Sequence, residues 1–193
     1  MSYIPKILAF AGSTRKDSFN KKLVKIAGEA ARASGAEVTL IDLRDFPMPL
    51  YDGDLEAEQG IPENAKKFKG LLLAHDALLI SAPEYNSSIS AVLKNVIDWS
   101  SRPVPGEAPL ACFNGKVVTL MSASPGALGG LRGLVILRSL LSNINVIVLP
   151  AQVAVPKAHE AFESDGKLKD SKQQTSIEGL GRDLVAMVSK LKS

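Results

Sequence analysis

Five short apolar runs, each followed by a run of helical period, constrain this chain more than any other feature. The apolar runs span residues 6–11, 37–43, 77–82, 116–122 and 145–149. The stretches at 19–34, 62–74, 88–101, 130–142 and 175–191 read as helices. In the first of these, Leu23, Ile26, Ala27 and Ala30 recur at helical spacing, and Gly35 is placed to end it. Strands alternating with helices predict a parallel sheet covered on both faces. Right-handed crossovers then leave two main doubly wound strand orders. Three irregular segments remain, at 45–62, 102–114 and 156–174. The first is long for a compact domain, and such loops often cover sites. With 193 residues and no linker or repeat, the expectation is one domain over 1–193.

The loop after the first strand is GSTRKDSFN, residues 12–20. Gly12 is expected to let the chain turn sharply. The hydroxyls of Ser13, Thr14 and Ser18, the loop N–H groups and the positive end of a helix make a phosphate cradle. Arg15 adds a fork of charged donors. The loop has one glycine, so it is neither a GxGxxG dinucleotide fingerprint nor a GxxxxGK[ST] triphosphate loop. An ordinary βα loop capped by Ser18 or Asn20 is the plain alternative. A hydroxyl-rich cradle after the first strand selects the flavodoxin-like order 2-1-3-4-5, a three-layer α/β/α sandwich. Ligands of such sheets lie beyond the carboxyl ends of the strands.

That rule brings two more loops beside the cradle. Residues 83–88 read PEYNSS. Pro83 stiffens the turn, Tyr85 offers a face to a flat ring, and Asn86 offers donors and acceptors. Residues 122–130 read SASPGALGG, where small residues permit close backbone approach. Read alone, each is also an ordinary helix-start connection.

Composition removes several classes. Hydrophobic residues make up 46% and charged residues 22%, as in ordinary globular domains. No apolar run reaches the roughly 18 residues needed to span a bilayer, and the N-terminus lacks a signal-peptide layout. The single cysteine, Cys112, excludes an internal disulfide and fits a reducing cytoplasm. His75 and His159 are far apart without neighbouring ligands, so no metal site is expected, and both read as surface or loop residues. The net charge of +3 is interspersed, which does not argue for nucleic acid. Lys16, Lys21, Lys22 and Lys25 near the cradle read as a solvated face.

The motifs GSTRKDSFN, PEYNSSISAVLKNVIDW and SASPGALGG resemble those of the NADPH-dependent FMN reductase family, and the resemblance spans essentially the whole chain. It implies bound FMN, NADPH or NADH as co-substrate, and two-electron reduction of quinones, chromate, azo dyes or free flavin. It also implies that Ser13, Arg15, Ser18, Phe19 and Asn20 hold the phosphate and ribityl chain. Pro83, Glu84, Tyr85 and Asn86 would border the ring, and Ser122, Ser124, Pro125 and Gly126 would lie near it or the ribityl chain. No catalytic side chain is required, because FMN carries the chemistry. Glu84 reads as an exposed or salt-bridged structural residue in preference to a proton relay. The rival function is a flavodoxin-type electron carrier, although such carriers are strongly acidic as a family.

The run 131–141 is apolar almost all round. At about 100° per residue, Leu131, Leu134, Val135, Leu137 and Leu141 face one sector, with Ile136 and Leu140 opposite. A helix apolar on both sides must be buried twice. Either the 102–114 segment covers its outer side, or a second copy does. The resemblance points to a homodimer or homotetramer through the helices at 88–101 and 130–142.

Overall fold

The computed structural model describes residues 3–193. Its main sheet is formed by β1 (Lys6–Ala11), β2 (Glu37–Ile41), β3 (Ala77–Ser81), β6 (Val117–Ala123) and β7 (Ile147–Val155). All pairings are parallel, in the order β2-β1-β3-β6-β7. The two remaining strands, β4 (Glu84–Tyr85) and β5 (Ser88–Ile89), pair only with each other. With that hairpin set aside, the order is the flavodoxin-like 2-1-3-4-5 expected. The central strands β3 and β6 are buried at every position, and β1 at all but Lys6. This is why they read as continuous apolar runs and not as alternating ones.

Helices α1 (Phe19–Ala33) and α6 (Ser171–Lys192) cover one face. Leu23, Ala27, Ile177 and Leu184 meet Ile7, Ala9 and Leu79 there. The other face is covered by α3 (Glu63–Ala74), α4 (Ala91–Ser100) and α5 (Leu131–Asn143), through Phe68, Leu72, Leu93, Leu134 and Leu137.

Several boundaries differ from expectation, each for a local reason. The long loop after β2 contains a short helix, α2 (Gly53–Gln59), capped by Asp52. None of its residues is buried, so it left no apolar period to read. Helix α4 starts at Ala91, because Ser90 caps it by accepting a hydrogen bond from the Leu93 N–H. Helix α6 starts a turn early on a polar stretch capped by Asp170. Strand β7 runs past Pro150. Its register against β6 breaks between Val118 and Leu120, and the missing proline donor falls at the sheet edge.

Three side-chain expectations also change. His75 is buried, with its ring nitrogens against Leu71 O at 2.6 Å and Thr39 Oγ1 at 2.8 Å. On α5, Leu131 and Val135 point outward with Ile136, whereas Gly133, Leu134, Leu137 and Leu141 are buried. On α4 the apolar residues Leu93, Val96, Ile97 and Trp99 are buried, and the Lys94–Asp98 ion pair lies outside. The exposed apolar face therefore belongs to α5, not to both helices. The 102–114 segment leaves that face open. It buries Cys112 and Phe113, and Arg102 pairs with Glu56 at 2.8 Å over the Tyr51 ring.

At the amino ends of the strands, Asp76 gathers residues from both β1 and α6 and from the segment before β1. It accepts hydrogen bonds from the Tyr3 hydroxyl, the Lys6 N–H at 2.9 Å and the Lys192 ammonium at 3.2 Å. Burial pushes its carboxyl up, but the donors outweigh that and hold it below the ordinary value. A depressed carboxylate adds stability above its unfolded pKa, about 4, and loses it as pH falls through the lower folded value. Asp76→Asn is therefore expected to be less stable than wild type at pH 7 and to show a flatter decline below pH 4. Urea midpoints measured across pH check this. Parallel curves for the two proteins contradict it.

Candidate functional site

The cradle, the β4–β5 hairpin and the loop after β6 converge at the carboxyl ends of β1, β3 and β6. Two buried side chains hold them together. The Asn20 amide donates to the Ala123 carbonyl at 2.9 Å. Its oxygen accepts from the Ala123 N–H at 3.0 Å and from the Ser81 hydroxyl at 2.8 Å. The Ser90 hydroxyl donates to the Gly12 carbonyl at 2.6 Å. Gly12 serves close approach and not a left-handed turn, for a Cβ there would sit 2.9 Å from Leu93 Cδ2.

Between these loops lies a cleft. Ser13, Arg15, Ser18, Phe19 and Asn20 line one side, with Pro83, Glu84 and Tyr85 and then Ser124 and Pro125 around it. Ten of the expected site residues thus share one cleft. Asn86 stands at the exposed hairpin tip and Gly126 on the exposed loop beyond Pro125. Ser122 is fully buried beneath the cleft. Its hydroxyl has no partner, and a Cβ on Gly130 would collide with it. Ala123 also lines the cleft. As an apolar strand residue it gave no sequence signal.

The cradle's donors are unspent. Ser18 flanks α1 without capping it through its side chain, and the first turn of α1 carries no acidic residue. The Arg15 guanidinium makes no hydrogen bond or ion pair among the described residues. Ser13 Oγ accepts only from the Arg15 N–H, at 3.3 Å. Nearly buried hydroxyls at Ser13 and Ser18, a free guanidinium and an unopposed helix N-terminus fit a terminal phosphate. Of the nearby lysines, Lys21 pairs with Asp42, Lys25 with Glu29, and Lys22 lies over the Phe162 ring. Phe162 stacks on Phe19 with centroids 5.9 Å apart, which steadies the 156–170 loop beside the cradle.

The hairpin makes a two-residue turn in which Asn86 and Ser87 have φ of 50° and 64°, the signature of a primed turn. Two-residue strands are too short for a period, so sequence reading missed them. Glu84 pairs with Arg132 at 2.6 Å and accepts from the Gly133 N–H at 3.1 Å. Burial pushes the Glu84 carboxyl up, yet these donors hold it below the ordinary range. Of the two structural roles read from the sequence, exposed or salt-bridged, the ion pair is the one formed. Among the described residues, no group of three His, Cys, Asp or Glu side chains is placed to hold a metal. Among those residues, no helix is long and apolar enough to cross a membrane.

A doubly wound flavodoxin-like sheet with an unspent phosphate cradle and a cleft bordered by a tyrosine defines a protein built for a flavin mononucleotide. The chain belongs to the NADPH-dependent FMN reductase family, which it matches over residues 5–160. Its cofactor is FMN and its co-substrate NAD(P)H. It is 35% identical to an NAD(P)H-dependent FMN reductase of Pseudomonas aeruginosa, covering 97% of each chain. It is 36% identical to a quinone reductase of Pseudomonas putida, covering 88% of each. Among solved structures it resembles FerB, a flavoenzyme NAD(P)H:(acceptor) oxidoreductase of Paracoccus denitrificans. The TM-score is 0.81 at 28% identity, covering 97% of this chain and 98% of that one.

Replacing Asn20 with alanine would strand the Ala123 N–H and carbonyl and the Ser81 hydroxyl in the interior. Each buried unsatisfied group costs roughly 1–3 kcal/mol, so Asn20→Ala is expected to lose about 3 kcal/mol after relaxation. Urea unfolding of the FMN-free protein measures this. A loss under about 1 kcal/mol would mean that the three loops are held by other contacts.

Proposed function

We propose that this protein is an FMN-dependent NAD(P)H oxidoreductase that transfers two electrons to quinones or similar acceptors by a ping-pong cycle. The cradle of unspent donors opening into the cleft beside Tyr85 is the observation that carries this reading. Ser13, Arg15, Ser18 and the N–H groups of Phe19 and Asn20 would hold the phosphate. The Asn20 side chain is engaged elsewhere and serves as a brace. Pro83, Glu84, Tyr85 and Asn86 would border the ring. Ser124, Pro125 and Gly126 would flank it, with Ser122 supporting them from below. Bound FMN would supply the redox chemistry between NAD(P)H and the acceptor. The protein's part is to fix the cofactor and keep one side of the cleft open, where Tyr85 is 51% exposed. The quinone reductases among its relatives support quinones as acceptors. Free flavin takes an electron pair in the same way, and azo compounds and chromate would be reduced over more than one turnover.

The basic composition, with a pI near 8.9, disfavours the electron-carrier reading. Under anaerobic conditions, NADPH or NADH alone is expected to bleach the flavin-loaded protein. Double-reciprocal plots for nicotinamide at several quinone concentrations are expected to be parallel. Failure to bleach would restore the carrier reading, and intersecting lines would mean that both substrates bind together.

A second copy of this chain is the occupant we assign to the outer face of α5. Leu128, Leu131, Val135 and Ile136 are between 41% and 58% exposed there, and an uncovered apolar face of this kind is unusual on a monomer. The opposing helix would be the same helix of a partner, in an isologous pair. Val135→Glu with Ile136→Glu is expected to yield monomers. A wild type that is monomeric by light scattering at micromolar concentration, or a double variant that keeps its assembly, contradicts the assignment.

A further inference from the structure

We infer that Glu84 and Arg132 form a charge-neutral latch which fixes the hairpin beside the cleft and prevents the Glu84 carboxylate from opposing reduced FMN. The inference rests on the cofactor reading above. It starts from an imbalance within the ion pair. The Glu84 side chain is 8% exposed and lines the cleft, while Arg132 is 58% exposed on the outside of α5. Two guanidinium nitrogens reach one carboxylate oxygen, Nη2 at 2.6 Å and Nε at 2.8 Å. The other oxygen takes the Gly133 N–H. The carboxylate is therefore drawn onto the first turn of α5, where the helix dipole also favours an anion.

Packing leaves the hairpin little freedom to do otherwise. A Cβ on Gly133 would lie 3.2 Å from Ser88 O and 3.3 Å from Glu84 Cβ. The hairpin backbone thus rests directly on the helix backbone, and the ion pair closes that contact from above. Tyr85 follows Glu84 immediately, so the position of its ring is set by this seat.

The two partners are not equivalent. Removing the guanidinium leaves a poorly solvated carboxylate, held by the Gly133 N–H, in the lining of the cleft. Removing the carboxylate takes the anion away from the cleft altogether and leaves an arginine on the outside of α5. Reduced flavin carries more negative charge than oxidised flavin, so an uncompensated Glu84 penalises the reduced form selectively. Glu84 and Arg132 are positioning residues in this account.

The test measures Kd for oxidised FMN and, anaerobically, for dithionite-reduced FMN, using flavin fluorescence or absorbance. The proteins are wild type, Arg132→Gln, Glu84→Gln and the double variant. Arg132→Gln is expected to raise the ratio of reduced to oxidised Kd about tenfold. For a two-electron couple that is a midpoint potential about 30 mV more negative. Glu84→Gln, whose amide oxygen can still accept the Gly133 N–H, is expected not to raise the ratio. The double variant is expected to return it to the wild-type value or below. If Arg132→Gln and Glu84→Gln weaken both redox forms equally, the pair is a structural clamp only and the inference fails. A wild type that binds no FMN removes the cofactor reading itself, which is a separate and recognisable result.

Discussion

The three hydrogen bonds of the Asn20 amide are the interaction on which the site depends. A parallel sheet delivers its loops to one edge, but it does not fix them against each other. The Asn20 side chain does so, because its oxygen and nitrogen reach the end of β6 and its oxygen also takes the Ser81 hydroxyl at the end of β3. Two of these bonds are to backbone, which sequence change cannot remove. The cost of leaving such buried groups unpaired makes the arrangement close to all-or-none. Ser90 extends the lacing to the start of α4. With the walls fixed this way, Ser13, Arg15 and Ser18 are left free to spend their donors on a ligand.

The sequence was most legible where periodicity and turn chemistry act alone. Continuous apolar runs exposed the buried strands, and the hydroxyl-rich loop after β1 exposed the cradle. The 2-1-3-4-5 order followed from alternation and handedness. Tertiary geometry decided what stayed hidden. Asn20 looked like a ligand contact, yet its amide faces inward, and no local pattern distinguishes the two. Ser122 was read as the start of the loop but lies within β6, which is buried at every position. The hairpin depends on two residues with positive φ, and Arg132 acquires its role from Glu84, 48 positions away. Such pairs are invisible to any window along the chain.

The α5 helix joins the border of the cleft to the outer surface of the molecule. Its inner stripe packs Leu134, Leu137 and Leu141 into the core. Its first turn seats the hairpin at Gly133 and Glu84. Its outer stripe of Leu131, Val135 and Ile136 is open. One rigid element thus connects the border of the cleft to the surface assigned to a partner. Any displacement of α5 at that surface must be felt at the seat of Tyr85, because packed backbones without side-chain slack move together.

At the far edge of the sheet, Asp76 has a different consequence. By holding Tyr3 and Lys192 on one carboxylate, it brings residues 3 and 192 within a side chain's reach of each other. A short bridge between those two positions could close residues 3–192 into a ring there, with a break opened in the α2 stretch, where no residue is buried. In topological terms the order of the strands along the chain is then incidental. The fold is specified by which elements touch, and the cleft would form at the opposite edge wherever the chain happened to begin.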